Sequence, residues 1–106
     1  LSIWQGQSDW VVDSTNAREL AEQWNALHGL QSNAASEETG QGYTHRVYRD
    51  ATGQPRVESY LIAAMGHGQP IDPGSSAAQC GTAADYVLPV GICASERIIH
   101  FWGLAP

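Results

Sequence analysis

The chain has 106 residues, enough for one domain and not two, and its 42% hydrophobic and 15% charged content belongs to a globular protein rather than a disordered one. A net charge of −6, with five Arg and no Lys, supplies no basic stripe for nucleic acid and no patch for an anionic membrane. No apolar run reaches transmembrane length, and no leader is visible in a chain that starts at Leu1 rather than at Met.

The first predicted element is a short strand near residues 1–5, with Leu1, Ile3 and Trp4 apolar and Gly6 ending it. A strand at the very start suggests that something precedes it in a parent protein. The loop Gln7-Ser8-Asp9-Trp10-Val11-Val12 follows and carries one acid. Next comes the strongest helical signal, near residues 15–28, where Ala17, Leu20, Ala21, Trp24 and Leu27 recur at three- and four-residue steps. Asp13, Ser14 and Thr15 offer cap oxygens to the first turn, and Gly29 suits a left-handed end. That stripe reads as a core face. Residues 31–42 lack any large hydrophobe and read as an exposed, mobile loop.

A hairpin follows, with arms near 43–49 and 56–64 around a turn at Asp50–Gln54. The first arm is the more polar and is expected at a sheet edge. The second runs into Tyr60-Leu-Ile-Ala-Ala-Met65, an apolar stretch expected of a strand covered on both faces. Strand, helix, buried strand makes one right-handed crossover with the two buried strands parallel. Past the second buried strand lies His67, between Gly66 and Gly68, whose backbone freedom would let the imidazole be aimed out of the sheet.

Sites in open α/β sheets gather at the carboxyl ends of the strands. In parallel neighbours those ends share one edge, so the loops bearing Asp9 and His67 are expected to emerge side by side. A carboxylate there can fix the tautomer of an imidazole and stabilise its charged form, leaving the other nitrogen as general base. The remaining chain is rich in Gly and Pro through Ser76, then carries Cys80 and Cys93, and ends in a short helix near 94–102. With no other cysteine present, Cys80 and Cys93 suggest one disulfide and an oxidising compartment. Closing so short a loop stabilises by about 3 kcal/mol in the entropic account. Two cysteines and histidines at 28, 45, 67 and 100 without ligand spacing give no metal site, and no cofactor is expected.

Taken together, WQGQSDWVV, the helix NARELAEQWNALHG, then GYTHRVYRDATGQPRVESYLIAAMGHG and GICASERIIHFWGL resemble the C-terminal part of the polyhydroxybutyrate depolymerase-type esterases. The resemblance covers residues 1 to 104 in the family's order. It implies an α/β class with a partial α/β-hydrolase fold: the last two parallel strands, an added antiparallel edge strand and two helices. Residues 1–106 would be a single domain, the C-terminal segment of a hydrolase catalytic domain. The resemblance further implies that Asp9 matches the triad acid and that His67, in Met65-Gly66-His67-Gly68, matches the base. The substrates implied are 3-hydroxybutyrate polymers or oligomers, or aryl and acetyl esters, and the setting is secreted or periplasmic in a bacterium.

The departure from the pattern is the nucleophile. No G-x-S-x-G occurs in the chain; Ser8, in Gly6-Gln7-Ser8-Asp9, lacks the second glycine. The expected partner is therefore the N-terminal part of the same hydrolase, carrying the serine. The alternative is a free-standing, non-catalytic binding or assembly module, whose first strand would be an open edge inviting a homodimer.

Overall fold

The computed structural model describes residues 1–31, 33 and 35–105. The chain forms two compact units, Leu1–Gly66 and His67–Pro106. Among the described residues they hold two helices and two sheets, a mixed α/β class.

The first unit holds β1 (Ser2–Gly6), α1 (Thr15–Leu27), β2 (Ser36–Gly40), β3 (Tyr43–Arg49) and β4 (Pro55–Ile62), with the sheet ordered β1-β4-β3-β2. β1 and β4 are parallel, with Gly6 opposite Ile62, as the crossover required. One face of the sheet packs on α1: Ile3, Ala21, Tyr48 and Val57 form the core, joined by Leu1, Ala17, Trp24 and Leu30. On the other face Tyr60 is sandwiched between the rings of Trp4 and His45, each stacked at a centroid distance of 4.0 Å. Beside that stack, buried Glu58 accepts a hydrogen bond from Ser2 Oγ at 2.8 Å and sits 2.7 Å from His45 Nε2. A carboxylate there is tolerated because both its oxygens have partners.

The helix begins where expected, but Asp13 rather than Ser14 caps it, its Oδ1 accepting from Thr15 N at 2.8 Å. Gly29, at φ +67°, ends it, with Leu30 N donating to Asn25 O at 2.7 Å. The buried face is rotated from the expected stripe. Ala17, Ala21, Trp24 and Asn25 face the sheet, while Leu27 stays 70% exposed and Leu20 lies at the margin. Asn25 takes a core position without a partner for its Oδ1 among the described residues.

Three expectations are corrected here. The 31–42 segment is not wholly loop: Ser36–Gly40 is β2, antiparallel to β3, while residues 32 and 34 lie outside the described residues. Because β2 covers its flank, β3 is an interior strand and not the edge. The strand expected to reach residue 64 stops at Ile62; Ala63 and Ala64 are exposed, and Ala64 turns the chain at φ 56°.

The second unit holds β5 (Gln69–Ile71), β6 (Val87–Pro89) and α2 (Ala94–Phe101). The two short strands are parallel, and neither was expected from a stretch so rich in Gly and Pro. Cys80 and Cys93 form the expected disulfide, their Cα atoms 5.6 Å apart. Cys93 is also the N-cap of α2, its Sγ accepting from Glu96 N at 3.3 Å. The disulfide thus ties the start of the helix to the glycine-rich loop.

Candidate functional site

Asp9 lies three residues beyond the carboxyl end of β1, half-buried. Its Oδ1 accepts the backbone amides of Val11 and Val12, each at 2.8 Å. A carboxylate that gathers two amides of its own loop holds one rotamer. Gln5, a buried residue that periodicity would assign only as a strand position, steadies the loop from beneath. Its Nε2 donates to Gly6 O and to Val12 O at 3.0 Å each, and lies 3.4 Å from Asp9 Oδ2. The sequence signal for it is a polar residue on the core side of an apolar strand.

The Asp9 loop is stitched to the carboxyl end of β4. Gln7 N donates to Ile62 O at 2.8 Å and Ser8 N to Met65 O at 2.9 Å. Gly6 makes this approach possible, since a Cβ there would fall on the backbone carbonyls of Met65 and Gly66. The segment that leads into His67 is therefore bonded directly to the segment that leads into Asp9, within one unit.

His67 opens the second unit and is exposed. Its two glycines do not serve as expected. Neither Gly66 nor Gly68 has a left-handed backbone. Gly68 is required for space, because a Cβ on it would crowd Tyr86 O and the Leu88 side chain. The imidazole meets the ring of Tyr86 edge-to-face, with centroids 5.7 Å apart and planes at 73°. Nothing in the residue type of Tyr86 announces its backbone angle of φ 60°. Asp9 thus belongs to the first unit and His67 to the second.

The remaining features lie elsewhere. A cavity of about 410 Å³ between α1 and the sheet is lined by Arg18, Glu22, Asn25, Arg46 and Tyr48 among others, and by neither Asp9 nor His67. Among the described residues no cluster of His, Cys, Asp and Glu could hold a metal, and no helix is long and apolar enough to cross a membrane.

No protein-family model matches the chain. It is 45% identical over 104 residues to poly(3-hydroxyalkanoate) depolymerase C of Paucimonas lemoignei, a match covering 98% of this chain. The chain spans 25% of the length of that relative. The likeness drawn from the sequence motifs therefore holds along nearly the whole chain, which is similar to one part of a poly(3-hydroxyalkanoate) depolymerase, as a C-terminal part would be.

Proposed function

We propose that this chain is the C-terminal segment of a serine carboxylic-ester hydrolase of the α/β-hydrolase fold, with Asp9 as triad acid and His67 as triad base. The observation that carries the reading is the 45% identity to a depolymerase over 98% of the chain. Two local features support it: Asp9 follows the end of one parallel strand and His67 follows the end of the other, and the loop of the first is bonded to the exit of the second. The serine comes from the N-terminal part of the same hydrolase, in the same protein or as a second chain.

In this reading His67 takes the proton of the serine hydroxyl as its oxygen attacks the ester carbonyl. It then gives that proton to the departing alkoxide, and water repeats the cycle on the acyl-enzyme. Asp9 holds the imidazole in the working tautomer and stabilises its charged form. The bond cleaved is a carboxylic ester, in a 3-hydroxyalkanoate polymer or oligomer, or in an aryl or acetyl ester. Residues 1–106 act as one piece of that catalytic domain. The Cys80–Cys93 bridge supports a secreted or periplasmic setting.

Hydrolysis of short p-nitrophenyl esters tests the reading. The 106-residue chain alone is expected to be inert, and turnover is expected once a serine-bearing N-terminal part is present. In the active protein, His67→Ala should cost on the order of 10⁶-fold and Asp9→Asn on the order of 10⁴-fold in kcat. Ester turnover that His67→Ala leaves unchanged would remove the base from this reading. A non-catalytic assembly module would show no turnover under any pairing, with both substitutions silent.

A further inference from the structure

Tyr86 has three properties that do not fit together unless its ring has a task. Its backbone is left-handed, at φ 60°; only one other non-glycine among the described residues, Ala64, shares that trait. For a bulky aromatic this is an outlier that the surroundings must hold in place. The residue is 66% exposed, so hydrophobic burial does not account for it. A glycine would adopt the angle without strain and an asparagine with little. Strain at an exposed position, kept for a side chain that packs on little, points to what that side chain touches.

What it touches is His67, edge-to-face at 5.7 Å. Rings in this arrangement attract one another, the positive edge of one meeting the negative face of the other. The backbones beneath them are clamped together. Gln69 N donates to Tyr86 O at 2.8 Å, Gln69 pairs with Val87 across β5 and β6, and the bare Cα of Gly68 admits the Tyr86 carbonyl. A histidine set between two glycines on an exposed turn has little in its own backbone to fix its χ angles. The clamp carries the tyrosine ring to it at a set distance.

We propose that Tyr86 is a positioning residue of the His67 imidazole, its left-handed backbone being the means by which the ring is presented. The aromatic ring, and not the hydroxyl, performs this, since edge-to-face packing uses the ring's charge distribution. The proposal deepens the reading of His67 as the base and rests on it for its catalytic consequence; the positioning contact itself does not. The ring narrows the imidazole to the rotamer from which it can reach a serine hydroxyl. Misplacing a catalytic group by about 1 Å costs up to about 100-fold in rate.

The test follows the His67 ring by NMR in the full-length protein, its signals assigned by their loss in His67→Gln, alongside thermal unfolding. In Tyr86→Phe the imidazole carbon and proton shifts should match the parent. In Tyr86→Gly and Tyr86→Asn they should lose the ring-current displacement and the χ1 couplings should change, while the unfolding midpoint is held or raised because the backbone strain is gone. A merely structural tyrosine gives the reverse: a lower midpoint with the imidazole undisturbed, and that result in both variants overturns the proposal. Imidazole signals disturbed as much in Tyr86→Phe as in Tyr86→Gly overturn it too, since the ring would then not be the agent. In the serine-bearing enzyme the Gly and Asn variants should lose kcat with KM unchanged, and Phe should restore it. If the imidazole signals shift as expected while His67→Ala leaves ester turnover intact, the positioning contact stands and the assignment of His67 as base fails.

Discussion

Gly6→Ala places a methyl group where there is no room for one. The added Cβ would lie against the carbonyl carbon and oxygen of Met65 and the carbonyl oxygen of Gly66, all backbone, so no side chain can swing aside. Either β1 or the 62–66 segment must move, at about 1–3 kcal/mol for overpacking. The shift falls on the two hydrogen bonds that stitch the segments together, Gln7 N to Ile62 O and Ser8 N to Met65 O. Losing one adds about 1 kcal/mol. Alanine recovers about 0.5–1 kcal/mol by restricting the unfolded chain. The net is about 1–3 kcal/mol, which at about 4–8 °C per kcal/mol lowers the unfolding midpoint by about 5–20 °C. Thermal unfolding followed by circular dichroism reads the midpoint, and hydrogen exchange at the Gln7 and Ser8 amides reads the stitch. A midpoint within about 2 °C of the parent with Ser8 still protected would show that the close approach at Gly6 does not hold the Asp9 loop.

Replacing Cys80 and Cys93 together by Ala should cost about 3 kcal/mol of stability, and dithiothreitol should have no further effect on the double variant. A parent protein that titrates with two thiols under non-reducing denaturation would refute the pairing. At the hairpin tip, hydrogen bonds from Thr52 Oγ1 and from Arg56 Nε at 2.7 Å hold the Asp50 carboxyl well below the ordinary carboxylate range, helped by the amides of Gln54 and Thr52. A depressed carboxyl contributes stability that is complete above its unfolded value near 3.8 and declines as the pH drops below it. Urea unfolding from pH 5 to pH 2.5 should therefore show a shallower decline in Asp50→Asn than in the parent; identical slopes would refute the assignment. β1 has a hydrogen-bonded neighbour on one side only among the described residues, and none of its side chains is charged. It is expected to pair with a second copy at high concentration when no other chain covers it, and a clean monomer by light scattering would refute this.

The elements that periodicity and cap chemistry specify were legible. β1, α1, both hairpin arms and α2 lie within two residues of where pattern and turn chemistry put them, and the parallel pairing of β1 with β4 follows from the crossover rule. Ser-Glu-Glu-Thr-Gly at residues 36–40 has no apolar residue, so its strand comes from the partner it finds, not from propensity. β5 and β6 are three residues each, with Pro70 and Pro89 inside them, below what a two-residue period can register. Leu20 and Leu27 looked like core because they are large, yet Asn25 took the buried face. That Asp9 and His67 follow the ends of the two parallel strands was legible from the strand pattern. Gln5 and Tyr86 were not, because one acts through loop carbonyls that only the fold assembles and the other through a backbone angle that tyrosine does not encode.

The composition of β2 makes it a latch sensitive to salt. No apolar side chain anchors it, and its cross-strand ion pair of Glu37 with Arg46 Nε at 2.6 Å is open to solvent. Exposed pairs of this kind weaken as ionic strength rises. When β2 frays, it uncovers the backbone flank of β3, a strand rich in the aromatic and branched residues that self-associate most readily, Tyr43, Val47 and Tyr48 among them. A conspicuously polar stretch of this chain thus shields one of its most aggregation-prone strands, and concentrated salt loosens that shield.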